Sequence, residues 1–600
     1  MGARTIDSEP GDSLCRLPDE LIQAISFLLP PPDAIHLGST SQRLYRLIDQ
    51  PLLWRYFCDT QFDHWHITPD TDPSIVDRLA TAPWKQRFYD RIRRDKEHRQ
   101  LFESAVSSQH ERYTKIQQIA TYSYEARPML TQQCHASTNC DDVLARRYYA
   151  EAALGLIHRK NALHTWNQLT TGSKTSLERQ IAAFDLFIIG KDWGDIRDIT
   201  TALDDIAVEI RKEHPDLSDL DLEERSLTVV RWLRSHGLIG LNPDSQYHNM
   251  KHNFLSFNLR DRNSATLPLQ SAVIFCSIAQ RLGIDAHPVN YPTHIFVVVL
   301  LPSPTPSSTT PDPSSPSADH RLYLDPWSTH FESRLPDIIP YSTLASRLAI
   351  SGIPPRVHPS YLGPAPIRSM VIRTCRNIMR SYEEWNRSPI RDDLVGNHHA
   401  FYAYLWAMAL VEEAPSVDAD DVAGPWDRPH LGHLPAFFRD HFPEDLELVT
   451  RYLGPLFTRH PRGQHFMHVL AEMKAEDLNR RPVVNRDTSG PGVKFRIGQM
   501  FQHKRYGYTG VVRGWDAGCR ADERWMTQMR VDELERGRVQ AFYHVMGEDR
   551  SSRYVAEENI EPIYTEPSDA LMAMAGRYFK RWDADKRVFV SNIRDEYPDD

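Results

Sequence analysis

The sequence is poor in cysteine and has no long apolar runs. Its seven cysteines (Cys15, Cys58, Cys134, Cys140, Cys276, Cys375 and Cys519) are scattered, odd in number and never in CxxC spacing. That argues against a disulfide framework and a structural zinc site and fits a reducing compartment. No stretch approaches the roughly eighteen uninterrupted apolar residues of a membrane span. Met1 to Asp12 has neither the basic start nor the apolar run of a secretory signal. Neither sign of charge dominates: 70 Lys and Arg stand against 80 Asp and Glu, for a net charge of −10. Non-specific binding of the whole chain to nucleic acid or an anionic membrane is therefore not expected. With 600 residues, 41% of them hydrophobic, the chain is too long for one core and should hold several units. The expectation is a soluble, intracellular, multidomain chain, cytoplasmic and/or nuclear, with no membrane partner, metal or cofactor.

What is present begins at Leu14. Leu17, Leu21, Ile25 and Leu28 recur at helical spacing, with Pro18, Asp19 and Glu20 in the first turn. Pro30-Pro31-Pro32 stops that helix. A second is expected from Asp33, a third from Ser41 to Ile48, and the segment closes on Pro51-Leu52-Leu53-Trp54. Three helices in so short a stretch bury little surface alone. Two readings fit: a helical cap packed on the rest of the chain, or a module that keeps apolar surface for a partner helix. The Leu-Pro-Asp-Glu-Leu opening, Thr40-Ser41-Gln42-Arg43-Leu44 and the closing Pro-Leu-Leu-Trp together resemble the F-box, over residues 12–60. The resemblance implies binding to a Skp-type adaptor and, through it, to a cullin–RING ubiquitin ligase. Leu17, Pro18, Leu21, Ile25, Leu37, Leu44, Leu52 and Trp54 would then divide between adaptor contact and the module's own core.

Residues 61–140 read as a helical spacer. Arg91, Arg93, Arg94, Lys96 and Arg99 alternate with Asp90, Asp95 and Glu97, the mark of a solvated helix face rather than a nucleic-acid site. Helices are expected over Leu177 to Phe187, Ile196 to His214 and Leu222 to His236, with Asp219 or Asp221 capping the last. From Asn263 a loop leads into an apolar helix, Gln270 to Leu282, closed by Gly283. Strands follow at Ala286 to Val289, Ile295 to Leu301 and Arg321 to Leu324. The Pro- and Ser-rich insert 302–319 reads as disordered.

A helix followed by His294 before one strand and Asp325 at the end of another is the arrangement a Cys–His–Asp site requires. The Asn-Ser and Leu-Pro-Leu elements, Arg281-Leu282-Gly283-Ile284, the His294 motif and Leu324-Asp325-Pro326-Trp327 resemble the SirB-type branch of the transglutaminase-like superfamily, over residues 141–361. The resemblance implies a nucleophile fourteen residues before Gly283, and that position holds Leu269. Ser271 is two residues away, and Cys276 falls two turns too late. His294 and Asp325 are therefore expected to be vestigial, and no catalysis is expected. Residues 362–480 read as a helical extension. His398, His399, His430 and His433 fall in expected loops without metal-ligand spacing, and Glu412 to Pro435 reads as a mobile excursion.

A linker, 481–493, precedes short strands with Gly498, Gly507 and Gly510 at corners, the pattern of a small SH3-like β-barrel over 494–563. Phe495-Arg496-Ile497-Gly498-Gln499, Tyr506-Gly507-Tyr508, Phe542-Tyr543-His544-Val545 and Tyr554 to Ile563 resemble the YccV-like family, named for hemimethylated-DNA binding. Between Lys494 and Ile563, twelve Lys and Arg face eleven Asp and Glu, so the main term of DNA affinity is small. His503, Lys504, Arg505, Tyr506 and Arg513 form the candidate contact patch, for DNA or for an acidic peptide. The tail, 564–600, is expected to hold a helix, Leu571 to Trp582, and to pack on the barrel. The fold class expected is multidomain α+β: a three-helix F-box, a helical spacer, a transglutaminase-like α+β domain with a helical extension, and a small barrel. The function expected is substrate recognition for a ubiquitin ligase. The alternatives are DNA binding through the barrel and, less favoured, a hydrolase or transglutaminase of the middle domain.

Overall fold

The computed structural model describes residues 17–62, 82–190, 194–242, 245–263, 265–301, 321–327, 338–388, 393–412, 431–457, 461–486, 492–549 and 551–600. The insert 302–319, His430 and most of Glu412 to Pro435 lie outside these residues. Among the described residues no helix is long and apolar enough to cross a membrane. Nor does any group of three His, Cys, Asp or Glu among them offer a metal site.

The N-terminal module has four helices rather than three: α1 (Asp19–Leu28), α2 (Pro31–Ser39), α3 (Gln42–Ile48) and α4 (Pro51–Gln61). Pro51 starts a helix instead of ending the module, because an extended Gln50 places it in the first turn, where proline's missing N–H costs nothing. Pro30 and Pro31 likewise open α2 ahead of the expected Asp33 cap. Ser41, where the sequence starts the third helix, is the N-cap of α3, its hydroxyl accepting from Leu44 N–H. The inner face of α4 packs on α5 (Trp84–Ser107): Trp54 and Phe88 meet edge to face at 5.4 Å, and Lys85 bridges to Asp49 at 2.5 Å.

From α5 onward one large core runs through the chain, beside a smaller cluster that holds Val298, Tyr323, Leu344 and Leu348. The large core takes residues from Phe102 through Leu470, so the expected spacer, middle domain and extension are a single packed body. Its elements are α6 (Arg112–Thr121), α7 (Arg127–Cys134), α8 (Val143–Thr170), α9 (Leu177–Asp185), α10 (Ile196–Glu213), α11 (Leu222–Ser235), α12 (Leu255–Asp261) and α13 (Pro268–Arg281). An antiparallel sheet β1 (Ala286–Pro288), β2 (Val297–Leu300), β3 (Arg321–Leu324) follows, then α14 (Tyr341–Ile350), α15 (Ile367–Arg387), α16 (Leu394–Val411), α17 (Leu434–His441) and α18 (Pro461–Leu478), shorter turns aside. His398 and His399 lie inside α16, not in a loop; the apolar run around them, Phe401 to Val411, carries the helix through the core.

Helix α8 is buried along most of its length. Arg159, from its centre, pairs with Asp445 through Nε at 2.7 Å and with Glu444 at 2.9 Å, all three side chains almost wholly buried. Burial pushes both carboxyls up against the pull of Arg159.

The C-terminal region is a five-stranded antiparallel sheet in the order β7 (Ser552–Ala556), β6 (Phe542–Gly547), β5 (Thr509–Asp516), β4 (Met500–His503), β8 (Ile560–Pro562). Gly498 enters it at φ +88°, where a Cβ would lie 1.9 Å from Phe589 O. The tail departs from expectation. Its helix α19 (Asp569–Ala575) ends early, and Phe579–Asp583 is strand β9, paired with β10 (Val588–Ser591). Gly576 marks the change: a Cβ there would sit 2.0 Å from Leu144 O, so the chain crosses the backbone of α8 at glycine's closest approach. Val143 and Leu144 share the core of the sheet, and Tyr149 donates to Arg577 O at 2.6 Å. The sheet and hairpin are thereby seated on α8.

Two outcomes follow. Arg159→Met leaves two buried carboxyls without a counter-charge and should cost about 3–5 kcal/mol at pH 7. The loss should shrink at pH 5, where those carboxyls take up protons; calorimetric melting at both pH values checks this. Asp185, buried and accepting from Ser256 N–H at 2.7 Å, is raised by burial to about 6. The folded chain therefore binds the proton more tightly than the unfolded one. Stability is lost as pH rises from about 4 to about 6, by roughly 3 kcal/mol in all. The melting temperature of Asp185→Asn should gain on the parent over that window, and a gap that does not move with pH refutes the assignment.

Candidate functional site

Three places hold the residues singled out by sequence. In the N-terminal module the structure divides them between inside and outside. Leu44 and Trp54 are buried core, while Leu17, Ile25 and Leu37 are half-buried and Pro18 is exposed. Leu21, Leu28 and Leu52 are 50%, 83% and 69% exposed. On α1 the buried face is carried by Ile22 and Ser26. The stripe Leu21, Ile25, Leu28 thus runs along the outer side of the helix. Arg43 fixes the start of this stripe by pairing with Asp19 at 2.5 Å and donating to Leu17 O at 2.7 Å. Phe27 of α1 meets Tyr56 of α4 edge to face at 5.0 Å, which joins the stripe to Leu52 and Tyr56, one turn apart. Tyr56 was missed from the sequence because its helix was missed.

In the middle domain His294 and Asp325 do come together, Nε2 to Oδ2 at 3.0 Å. Trp327 N–H donates to the same carboxylate at 3.1 Å, and its indole N–H reaches Thr266 O, just before α13, at 2.9 Å. Arg234 holds Asp325 O at 2.6 Å. The His–Asp half of a nucleophilic site is therefore built and braced. Leu269, in the first turn of α13, is 1% exposed and part of the core. The Ser271 hydroxyl is engaged by Thr266 Oγ1 at 2.7 Å and accepts from Gly240 N–H at 3.1 Å. Cys276 lies about 10 Å further along the helix than Leu269 by helical rise, and burial pushes its thiol well up. It borders a cleft of about 370 Å³ whose lining includes Glu178 and Arg281 but neither His294 nor Asp325.

On the C-terminal sheet the expected patch splits. Lys504, Arg505 and Tyr506 stand exposed on the turn between β4 and β5. His503 is buried beneath them, its Nδ1 accepting from the backbone N–H groups of Arg505 and Tyr506, and burial holds its pKa below the ordinary value. Arg513 is not part of that turn's surface. Its guanidinium turns toward the tail, donating to Tyr578 Oη at 3.1 Å and Ser552 Oγ at 2.6 Å.

Three family models match the chain: F-box-like over residues 14–60, Transglutaminase-like superfamily over 197–376, and Hemimethylated DNA-binding protein YccV like over 493–586. The last runs through β9 and ends at residue 586, before β10. Among curated proteins the chain is similar to F-box only protein 21 of Pongo abelii, 24% identical over 65% of this chain and 59% of that protein. It is similar to the Mus musculus protein of that name, 23% identical over 65% and 60% of the two chains. The Homo sapiens protein is 35% identical over 22% of this chain and 20% of its own. The matches thus span about 60% or less of these relatives. No solved structure matches. The chain carries F-box-like, transglutaminase-like and YccV-like domains in that order, and over about two thirds of its length it is similar to F-box only protein 21.

Proposed function

We propose that this chain is the substrate-recognition subunit of an SCF-type cullin–RING ubiquitin ligase, working in the cytoplasm and/or nucleus. The Skp-type adaptor binds the outer stripe of the F-box-like domain, and substrates bind the domains that follow. The observation that carries this reading is the sidedness of α1 and α4. One side is spent on the core and on α5, and the other leaves leucines 50–83% exposed, more than a monomer surface needs. An amphipathic partner helix has matching chemistry. The reaction needs only binding from this chain, which raises the effective concentration of substrate near the ubiquitin-conjugating enzyme.

The transglutaminase-like domain, on this reading, recognises rather than reacts. A leucine at the nucleophile's position cannot attack a carbonyl, and the His–Asp pair has nothing to deprotonate. It ties β2 to the turn after β3 and, through Trp327, to the start of α13. DNA is the second partner considered for the YccV-like domain. Lys504, Arg505 and Tyr506 on one exposed turn favour it, while the near-neutral charge of the domain weakens it.

Leu21→Asp combined with Leu52→Asp should abolish co-purification of the adaptor while leaving the melting temperature within about a degree, since both side chains are exposed. Retained adaptor would refute the docking assignment. A thiol-directed electrophilic probe should leave Cys276 unmodified in the native chain and label it only in denaturant, as read by peptide mass spectrometry. Stoichiometric native labelling, or turnover of a glutamine-containing peptide, would show the domain to be an enzyme.

A further inference from the structure

Where the YccV-like domain sits on the helical body the two enclose a cavity of about 750 Å³, bounded by α6, α8, α18, β5, β6 and the start of β9. This lies within the roughly 300–1,000 Å³ range of ligand sites, which favour domain interfaces. Six arginines line it. Arg439, Arg481 and Arg520 pair with Asp440, Glu596 and Asp516 of the same wall, which leaves Arg112, Arg513 and Arg577, from three remote parts of the chain. Arg112 is 4% exposed. Its Nε donates to Ala105 O at 2.8 Å and Ser108 O at 3.0 Å, and one terminal nitrogen donates to Tyr149 Oη at 2.9 Å. Its other terminal nitrogen is buried without an acceptor, as are Nε of Arg513 and Nε of Arg577. None of the three forms an ion pair among the described residues. A buried guanidinium nitrogen left without an acceptor costs about 1–3 kcal/mol, and the three guanidinium groups that carry one border the same cavity.

The carboxylates of the same cavity do not supply the missing acceptors. Asp477 is occupied by the N–H groups of Tyr113 and Thr114 at 2.9 and 2.8 Å, Asp516 by His544 and Tyr554, Glu596 by Arg481 at 3.2 Å, and Asp440 by Arg439 at 3.4 Å, while one terminal nitrogen of Arg577 donates to Asp440 O at 2.7 Å. Glu472 and Glu476 are exposed, where solvent and salt screen them. The local potential is legible in Tyr578. Burial would raise its phenol, yet Arg513, Arg577 and Arg481 outweigh burial and bring it below its ordinary value.

We infer that this interdomain cavity binds an oxyanion, a phosphoryl or carboxylate group that reaches the guanidinium groups of Arg112, Arg513 and Arg577. Forked guanidinium donors suit both groups, and the charge-assisted bonds are the strong ones. If the chain recruits substrates as proposed above, the site would hold a phosphorylated or acidic side chain of a substrate peptide; that role rests on the ligase reading, whereas the binding itself does not.

The test uses the full chain and isothermal calorimetry with three probes: inorganic phosphate, a capped Ala-Ala-phosphoserine-Ala-Ala peptide, and the same peptide with glutamate in place of phosphoserine. Saturable binding of at least one is expected, weakened tenfold or more by Arg513→Gln and by Arg112→Gln. Lys504→Glu with Arg505→Glu, on the exposed turn, should leave it unchanged. Phosphate binding as tightly as the phosphopeptide would assign a free anion, and tighter peptide binding would assign a side chain as the source; either supports the site. Should an arginine variant unfold, the ligand-induced rise in melting temperature of the other decides. No saturable binding by any probe up to millimolar concentration overturns the inference, as does binding that the turn variant abolishes and the cavity variants leave intact. Adaptor co-purification is followed in the same variants. Loss of the oxyanion with the adaptor retained separates failure of this site from failure of the F-box reading.

Discussion

Helix α8 is the constraint on which the other parts depend. It is buried along most of its length and enclosed by different partners from end to end. Its first turn, Val143 and Leu144, completes the core of the C-terminal sheet. Its middle sends Arg159 to Glu444 and Asp445. Its last turns place Trp166 against Phe184 and Phe187. Arg146 also grips α5, through Glu103 at 2.7 Å. One element thereby closes two cores, so the domains that family models treat as separate share a wall.

In the transglutaminase-like domain the His294–Asp325 pair is part of the frame of the fold. His294, Asp325 and Trp327 still hold the sheet to the start of α13. Leu269 adds buried apolar area at the start of α13. The pair is braced by Arg234 and Trp327, which tie it to α11 and to the start of α13.

Much of the frame was readable from local signals. Pro268 in the first turn and Gly283 at φ +78° bound α13, and Asp221 caps α11 by accepting from Glu224 N–H at 2.8 Å. The misreadings share one cause, in that a local pattern was outweighed by tertiary context. Pro51 looks like a terminator but starts α4, because Leu53, Trp54 and Phe57 have α5 to pack against. Leu571 to Trp582 keeps helical spacing, but Gly576 must cross α8, and Phe579 onward pairs as a strand. On α1 the spacing found an apolar stripe, yet spacing alone cannot say which of two stripes faces inward. The interdomain cavity left no local trace, since Arg112, Arg513 and Arg577 meet only after folding.

The seating of the N-terminal module on α5 has a mechanical consequence. Trp54, Phe57 and Phe88 make that junction aromatic and buried, and α5 continues into the body that carries the C-terminal sheet. Between the leucines of α1 and the cavity beside Arg577 lies packed protein rather than a tether. A cargo held at the far end would be presented at a set distance and angle from whatever grips the near end. The chain would then act as a ruler, and the choice of which cargo lysine is reached would fall to the cargo's own flexibility.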